Sequence, residues 1–178
     1  MYIGARLSGF GGQGIISAGV LLAYAGMLDG KNVSFFPSYG AEMRGGTANC
    51  SVVISDDEVA SPVVTSPDVA LVFNEPSFIK FEPMVKKNGV LIVNSSLIKS
   101  KSKRKDIKVI EIPLNEMADK LGNSKVINMI ALGVFAKATG SVKLESFANA
   151  LGKVYKKLKP ELIEINKKAL EKGYSYIN

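Results

Sequence analysis

The chain predicts an α/β fold, a three-layer α/β/α sandwich around a mixed, mostly parallel sheet, in a single domain over residues 1–178. Three observations predict it. Short apolar runs alternate with amphipathic or alanine-rich runs along the whole length, as strands and helices do when they take turns crossing a sheet. Two of the apolar runs, at Asp68–Phe73 and Val90–Asn94, are continuous, which a strand needs when both its faces are covered. A further strand-like run, Thr47–Ser55, follows its predecessor through a loop with no helix in it, so at least one antiparallel strand is expected.

The first strand, Tyr2–Leu7, feeds through Ser8-Gly9-Phe10-Gly11-Gly12-Gln13-Gly14 into a helix from Ile15 to Ala25. Four glycines there bring backbone N–H groups together at a helix N-terminus, where partial positive charge favours an anion. Gly9, Gly11 and Gly14 match the spacing of dinucleotide-binding turns. Such a site also asks for a carboxylate at the end of the second strand, about 20 residues on, to bind ribose hydroxyls. The second strand, Asn32–Phe36, ends in Pro37-Ser38-Tyr39-Gly40 with none; Asp29 precedes it and Glu42 lies well beyond. No Lys-Ser or Lys-Thr follows the last glycine, so the turn is not a P-loop. NAD and nucleoside triphosphates are disfavoured. Two readings stay open, close packing of strand on helix or a site for another phosphate or carboxylate.

The loop Tyr39-Gly40-Ala41-Glu42-Met43-Arg44-Gly45-Gly46-Thr47 is too glycine-rich and charged for a buried element. Arg44 stands between a carboxylate and a glycine pair. If the first two strands lie parallel, this loop shares one sheet edge with the glycine turn, and Arg44 can meet an anion held there. The alternative is an internal Glu42–Arg44 ion pair. After the third strand, Val63-Val64 is a short extended piece between two Ser-Pro pairs.

Glu75–Lys87 predicts a helix with Phe78, Phe81 and Val85 inward and Pro83 as a kink or break. Lys99–Lys105, five cations in seven residues, reads as a surface loop. Ile107–Leu114 predicts the last strand, near an edge, and Asn115 the cap of a short helix ending at Leu121. Asn123-Ser124 caps a helix over Lys125–Ala138 that Gly140 stops. That helix is apolar around most of its circumference, so it is buried on nearly all sides or faces another subunit. Its Asn128 reads as a satisfied core amide or a ligand contact. Leu144–Leu158 and Glu161–Lys172 are amphipathic with lysine-rich outer faces.

Composition narrows the chemistry. There are no histidines and one cysteine, Cys50, which removes Ser–His and Cys–His pairs, disulfide frameworks and a chain-contained zinc or iron–sulfur site. No catalytic residue and no metal ligand is assigned, and Cys50 reads as a buried thiol. A net charge of +7 with 8% aromatics and no tryptophan favours a basic face for acidic partners over a nucleic-acid groove. No apolar run reaches membrane-spanning length and no leader precedes the first strand, so a cytoplasmic protein with no membrane partner is expected.

Two long stretches then become specific: Gly9-Phe10-Gly11-Gly12-Gln13-Gly14, and Ser38-Tyr39-Gly40-Ala41-Glu42-Met43-Arg44-Gly45-Gly46-Thr47-Ala48-Asn49-Cys50. With Val53–Asp56, Ser61-Pro62 and Asn123–Gly133, they resemble the gamma subunit of 2-oxoacid:ferredoxin oxidoreductases across nearly the whole chain. The form Glu-Met-Arg-Gly-Gly-Thr-Ala-Asn-Cys is closer to the 2-oxoglutarate branch than to the pyruvate branch; ketoisovalerate and indolepyruvate enzymes have related subunits. The resemblance implies a complex that decarboxylates a 2-oxoacid on thiamine diphosphate with Mg, passes electrons through iron–sulfur clusters to ferredoxin, and transfers the acyl group to coenzyme A. It places thiamine and clusters on alpha, beta and possibly delta partners, with none bound by this chain alone. It leaves Gly9, Gly11, Gly12, Gln13, Gly14, Tyr39, Glu42, Arg44, Gly45, Gly46 and Thr47 as the residues that bind coenzyme A or the partner subunits.

Overall fold

The computed structural model of the chain describes residues 1–38 and 47–177, with Thr47 described by its backbone alone. Six strands form one sheet: β1 (Tyr2–Phe10), β2 (Asn32–Ser38), β3 (Thr47–Ser55), β4 (Val69–Val72), β5 (Val90–Asn94) and β6 (Lys108–Ile112). Their order is β2-β3-β1-β4-β5-β6. β3 runs antiparallel to both its neighbours, and the other pairs are parallel. This is the mixed, mostly parallel sheet expected, with β6 at an edge. The inserted β3 separates β2 from β1, so the strands joined by the glycine turn and α1 are not the neighbours they would be in a dinucleotide-binding half.

Six α-helices complete the described fold: α1 (Ile15–Leu28), α2 (Glu75–Phe81), α3 (Leu114–Lys120), α4 (Ile127–Thr139), α5 (Leu144–Val154) and α6 (Pro160–Tyr174). Five of them share one core with Leu7, Cys50, Val52, Leu71 and Ile92 on one face of the sheet. On the opposite face Phe78 and Phe81 of α2, with Val85 and Ile98 from the segments that follow α2 and β5, cover Ala70, Val72, Leu91 and Val93. The third layer therefore lies over β4 and β5. Beside it, on β1 and β3, the same face carries Arg6, Ser8, Ser51 and Ser55.

Helix α4 is buried from Ile127 to Ala136, and its own chain does the burying. Helix α6 crosses it so closely that a Cβ on Gly133 would meet the Leu170 carbonyl oxygen, and one on Gly173 the Ile130 carbonyl oxygen. Asn123 caps the 3-10 turn Ser124–Val126 that leads into α4, and Gly140 closes the helix in the left-handed region at φ 60. Pro83, which has no N–H to continue a helix, splits the Glu75–Lys87 run into α2 and a 3-10 turn at Glu82–Met84.

One expectation is corrected. Asn115 does not cap α3; Pro113 occupies the capping position and has no acceptor side chain. Asn94 at the end of β5 and Ser96 in the turn just past it supply the acceptors instead. Leu114 N–H donates to Asn94 Oδ1 at 3.2 Å and Asn115 N–H to Ser96 Oγ at 3.0 Å. Asn115 turns its own Oδ1 to Asn94 Nδ2, 2.9 Å away.

The basic run is a surface segment with an inner seam. Its four lysines are exposed, while Ser100, Ser102 and Arg104 face inward. Arg104 donates to Asp106 and to the Glu82 and Val85 carbonyls, and Ser100 and Ser102 donate to Glu75 and Glu82. The seam ties the segment down over the α2 layer. The Asp106 carboxylate holds the Arg104 pKa up, so the brace stays charged.

Candidate functional site: a cleft at the glycine turn

Strand β1 runs on to Phe10, so Gly9 lies inside it and the turn begins at Gly11. Gly9 is a packing position, since a Cβ there would come within 2.9 Å of both Ile15 and Phe73. Gln13 closes the turn by accepting from Phe10 N–H at 2.6 Å and donating its own N–H to the Phe10 carbonyl at 3.2 Å. Its side chain is a brace. Gly14 caps α1 in the left-handed region at φ 73 and offers no side-chain acceptor.

The amide of Ala18 bonds to the Gly14 carbonyl at 2.9 Å. The amides of Ile15, Ile16 and Ser17 precede that first helical bond and have no acceptor within the helix. No acidic residue stands in the first turn of α1 to neutralise its end.

A second element fixes the turn. Asn128, at the start of α4, donates from Nδ2 to the Gly14 carbonyl at 3.1 Å and accepts the Met129 N–H at Oδ1, 2.9 Å away. It is a satisfied amide whose partner is the turn itself. A Cβ at position 14 would run into that amide. Beside them opens a cleft of about 340 Å³, lined by Gly12, Ser17, Lys125, Asn128, Tyr155 and Asn166 among others. On the other side of the turn a depression of about 380 Å³ is lined by Phe10, Gly11, Ile16 and Ala48 among others.

Burial pushes the Tyr155 phenol pKa up, so it is neutral at physiological pH. Lys125, Lys156 and Lys157 are exposed, the first lining the cleft and the other two following Tyr155. Apart from Lys125 the lining is neutral and partly apolar, with Met129 and Leu158 beside its polar groups, while the N-terminus of α1 and the cationic rim favour an anionic group.

Of the residues singled out in the sequence, Gly9, Gly11, Gly12, Gln13 and Gly14 meet here. Tyr39, Glu42, Arg44, Gly45 and Gly46 lie outside the described residues, as does the Thr47 side chain. The two ends of that loop stand at the same sheet edge as the turn, for Thr47 pairs with Phe10 and Ser38 with Asn49. Strands β1 and β2 point the same way, as the shared edge requires.

Sequence reasoning passed over Arg6. Its guanidinium donates to Asn49 Oδ1 at 3.1 Å and to the Val64 carbonyl, and sits 5.4 Å from the Phe81 ring centroid. Its Nε and the hydroxyl of its cross-strand neighbour Ser51 are buried without partners. An arginine in the middle of an apolar strand was the available signal. Cys50 is fully buried against α1, and burial pushes its thiol up to about 12, which removes it as a nucleophile near neutral pH.

Among the described residues, no three His, Cys, Asp or Glu side chains group to hold a metal, and no helix is long and apolar enough to cross a membrane. A mixed sheet carrying a braced glycine turn at the N-terminus of α1 defines an α/β domain. Residues 4–176 match the family described as pyruvate ferredoxin/flavodoxin oxidoreductase, and the chain belongs to that family.

Among its relatives, the ketoisovalerate oxidoreductase subunit VorA of Methanothermobacter marburgensis is 38% identical over 169 residues, which are 94% of this chain and 35% of the relative. The chain thus spans about a third of that relative's length. The 2-oxoglutarate synthase subunit KorC of Methanocaldococcus jannaschii is 37% identical over 149 residues, 82% of this chain and 80% of the relative. The solved gamma subunit of a keto/oxoacid ferredoxin oxidoreductase from Geobacter sulfurreducens superimposes with a TM-score of 0.82 at 31% identity, covering 97% of this chain and 96% of that one. The chain is a gamma-type member of the family.

Proposed function

We propose that this chain is a single-domain gamma subunit of a cytoplasmic 2-oxoacid:ferredoxin oxidoreductase. The whole assembly converts a 2-oxoacid, with 2-oxoglutarate foremost, and coenzyme A to an acyl-CoA and CO2 while reducing ferredoxin. Thiamine diphosphate, Mg and iron–sulfur clusters belong to alpha, beta and delta companions. This chain supplies part of the coenzyme A approach. The observation that carries the reading is the cleft lined by Gly12, Gly14, Ser17 of the first turn of α1 and Lys125, with no acidic residue in that turn. Coenzyme A brings a pyrophosphate and a further phosphate, groups that helix-end amides, Lys125 and Arg44 suit. Gly11, Gly12 and Gly14 carry no side chain to hinder them, and the same role is assigned to Tyr39, Glu42, Gly45, Gly46 and Thr47 on the strength of the family motif.

The test is made on the purified complex. Lys125→Ala and Arg44→Ala are expected each to raise the KM for coenzyme A about tenfold, with kcat nearly kept, as loss of uniform binding does. An unchanged KM in a normally assembled complex would sink the coenzyme A role. A likeness of 38% to a ketoisovalerate oxidoreductase subunit supports a second reading, an assembly subunit for that substrate, with pyruvate or indolepyruvate enzymes as further cases. Acyl-CoA formation compared across the four 2-oxoacids separates them, and variants that block assembly instead of raising KM favour the purely structural role.

A further inference from the structure

Between Leu7 and Leu28 the sequence holds no charged residue, and β2 holds none from Asn32 to Ser38, in a chain with 22% charged residues and a net charge of +7. The structure brings these two stretches side by side. Gly19 and Gly26 seat α1 on β2 and β3, where added Cβ atoms would press on Phe35, Cys50 and Val33. Ala18, Leu21 and Ala25 are buried in the helical core. The remaining flank carries Ile16, Val20, Tyr24 and Met27 at spacings of four, four and three, one continuous stripe along the helix. Tyr24 is 41% and Met27 57% exposed, so the stripe is uncovered over its second half. Next to it runs the outer edge of β2, which has no strand partner among the described residues. Free edges are ordinarily guarded by charges, and this one has Pro37 alone.

We propose that this uncharged flank of α1 and the β2 edge is the surface on which a companion subunit docks, by an apolar, uncharged face of its own. The proposal rests on the functional reading above. Two features favour a companion over a second copy of this chain. In the ketoisovalerate relative the matched stretch is about a third of a longer chain, so there about two thirds of the polypeptide is other sequence, available to cover such a face. The stripe also runs through Ile16 into the depression beside Phe10 and Gly11, so a body seated on it reaches the glycine turn.

The experiment compares Tyr24→Glu and Met27→Lys with Ile79→Lys, a 65% exposed position on α2, in the affinity-tagged chain expressed with its native complex. The two flank variants are expected to recover companion subunits at less than a tenth of the wild-type yield. Ile79→Lys is expected to recover them fully, and all three chains to unfold within about 2 °C of wild type, as exposed substitutions do. Hydrogen exchange is expected to show α1 and β2 amides better protected in the complex than in the chain alone. Wild-type recovery from both flank variants, with no added protection, would overturn the proposal. So would an isolated dimer that Tyr24→Glu dissolves while companions still bind. A native complex without any thiamine- or cluster-bearing companion is a different failure, that of the functional reading, and it takes this proposal with it.

Discussion

The two halves of the sheet are built to different rules. In β4 and β5 the strands are parallel and apolar on both faces, with the helical core on one side and Phe78, Phe81 and Val85 on the other. In β1, β3 and β2 an antiparallel strand intervenes, the second face carries Arg6 and serines, and β2 has no outer strand partner among the described residues. The first half has its stability stored in packing. Buried polar atoms without partners occur in both, Asn74 Nδ2 at the cap of α2 in the first and Arg6 Nε with the Ser34 and Ser51 hydroxyls in the second, and it is the second that bears the glycine turn. The recognition site proposed above thus falls in the half that its own chain fills less completely, since a surface already covered has nothing left to bind.

The largest effect that tests this contrast comes from two phenylalanines. Phe81→Ala empties the α2 layer and is expected to cost about 3–5 kcal/mol in urea unfolding. Phe36→Ala, at a position 45% exposed on β2, is expected to stay within about 0.5 kcal/mol. Equal costs would erase the distinction between the halves. A smaller effect belongs to the turn. Gly14→Ala is expected to cost about 1–3 kcal/mol, from the left-handed backbone and the collision with Asn128. In an Asn128→Ala background the same change is expected to cost less, since only the backbone term is left; an undiminished cost would show that Asn128 does not hold the turn.

The smallest effect is electrostatic and lies at the opposite end of the second half. Asp56 accepts from Lys31 at 2.5 Å and from the Met1 ammonium at 2.7 Å, which together hold its carboxyl down to about 2. A depressed carboxyl pKa stabilises the fold above its ordinary value near 4, and that contribution fades as pH falls through about 2. Asp56→Asn is therefore expected to flatten the fall in unfolding midpoint between about pH 4 and pH 2, read from urea melts at each pH. A slope as steep as in wild type would assign the acid sensitivity to other carboxylates.

Local chemistry was legible in the sequence. The apolar runs at Leu71 and Ile92, the break at Pro83, the stop at Gly140 and the glycine turn itself are each dictated within about ten residues, by periodicity, by a missing N–H or by a backbone only glycine tolerates. The Gly-Gly-Thr loop and the glycine turn together carried the family likeness. What crossed the chain was not legible. No local signal told that β3 would insert between β2 and β1, that Asn94 of β5 would cap α3 in place of Asn115, or that Asn128 would reach Gly14 over 114 residues. The same holds for the layer over β4 and β5 that stops short of β3, and for the uncharged stripe on α1 left beside the edge strand β2. Those were decided by which surfaces remained to be covered once every strand had chosen its neighbours, a property of the assembled sheet and not of any segment in it.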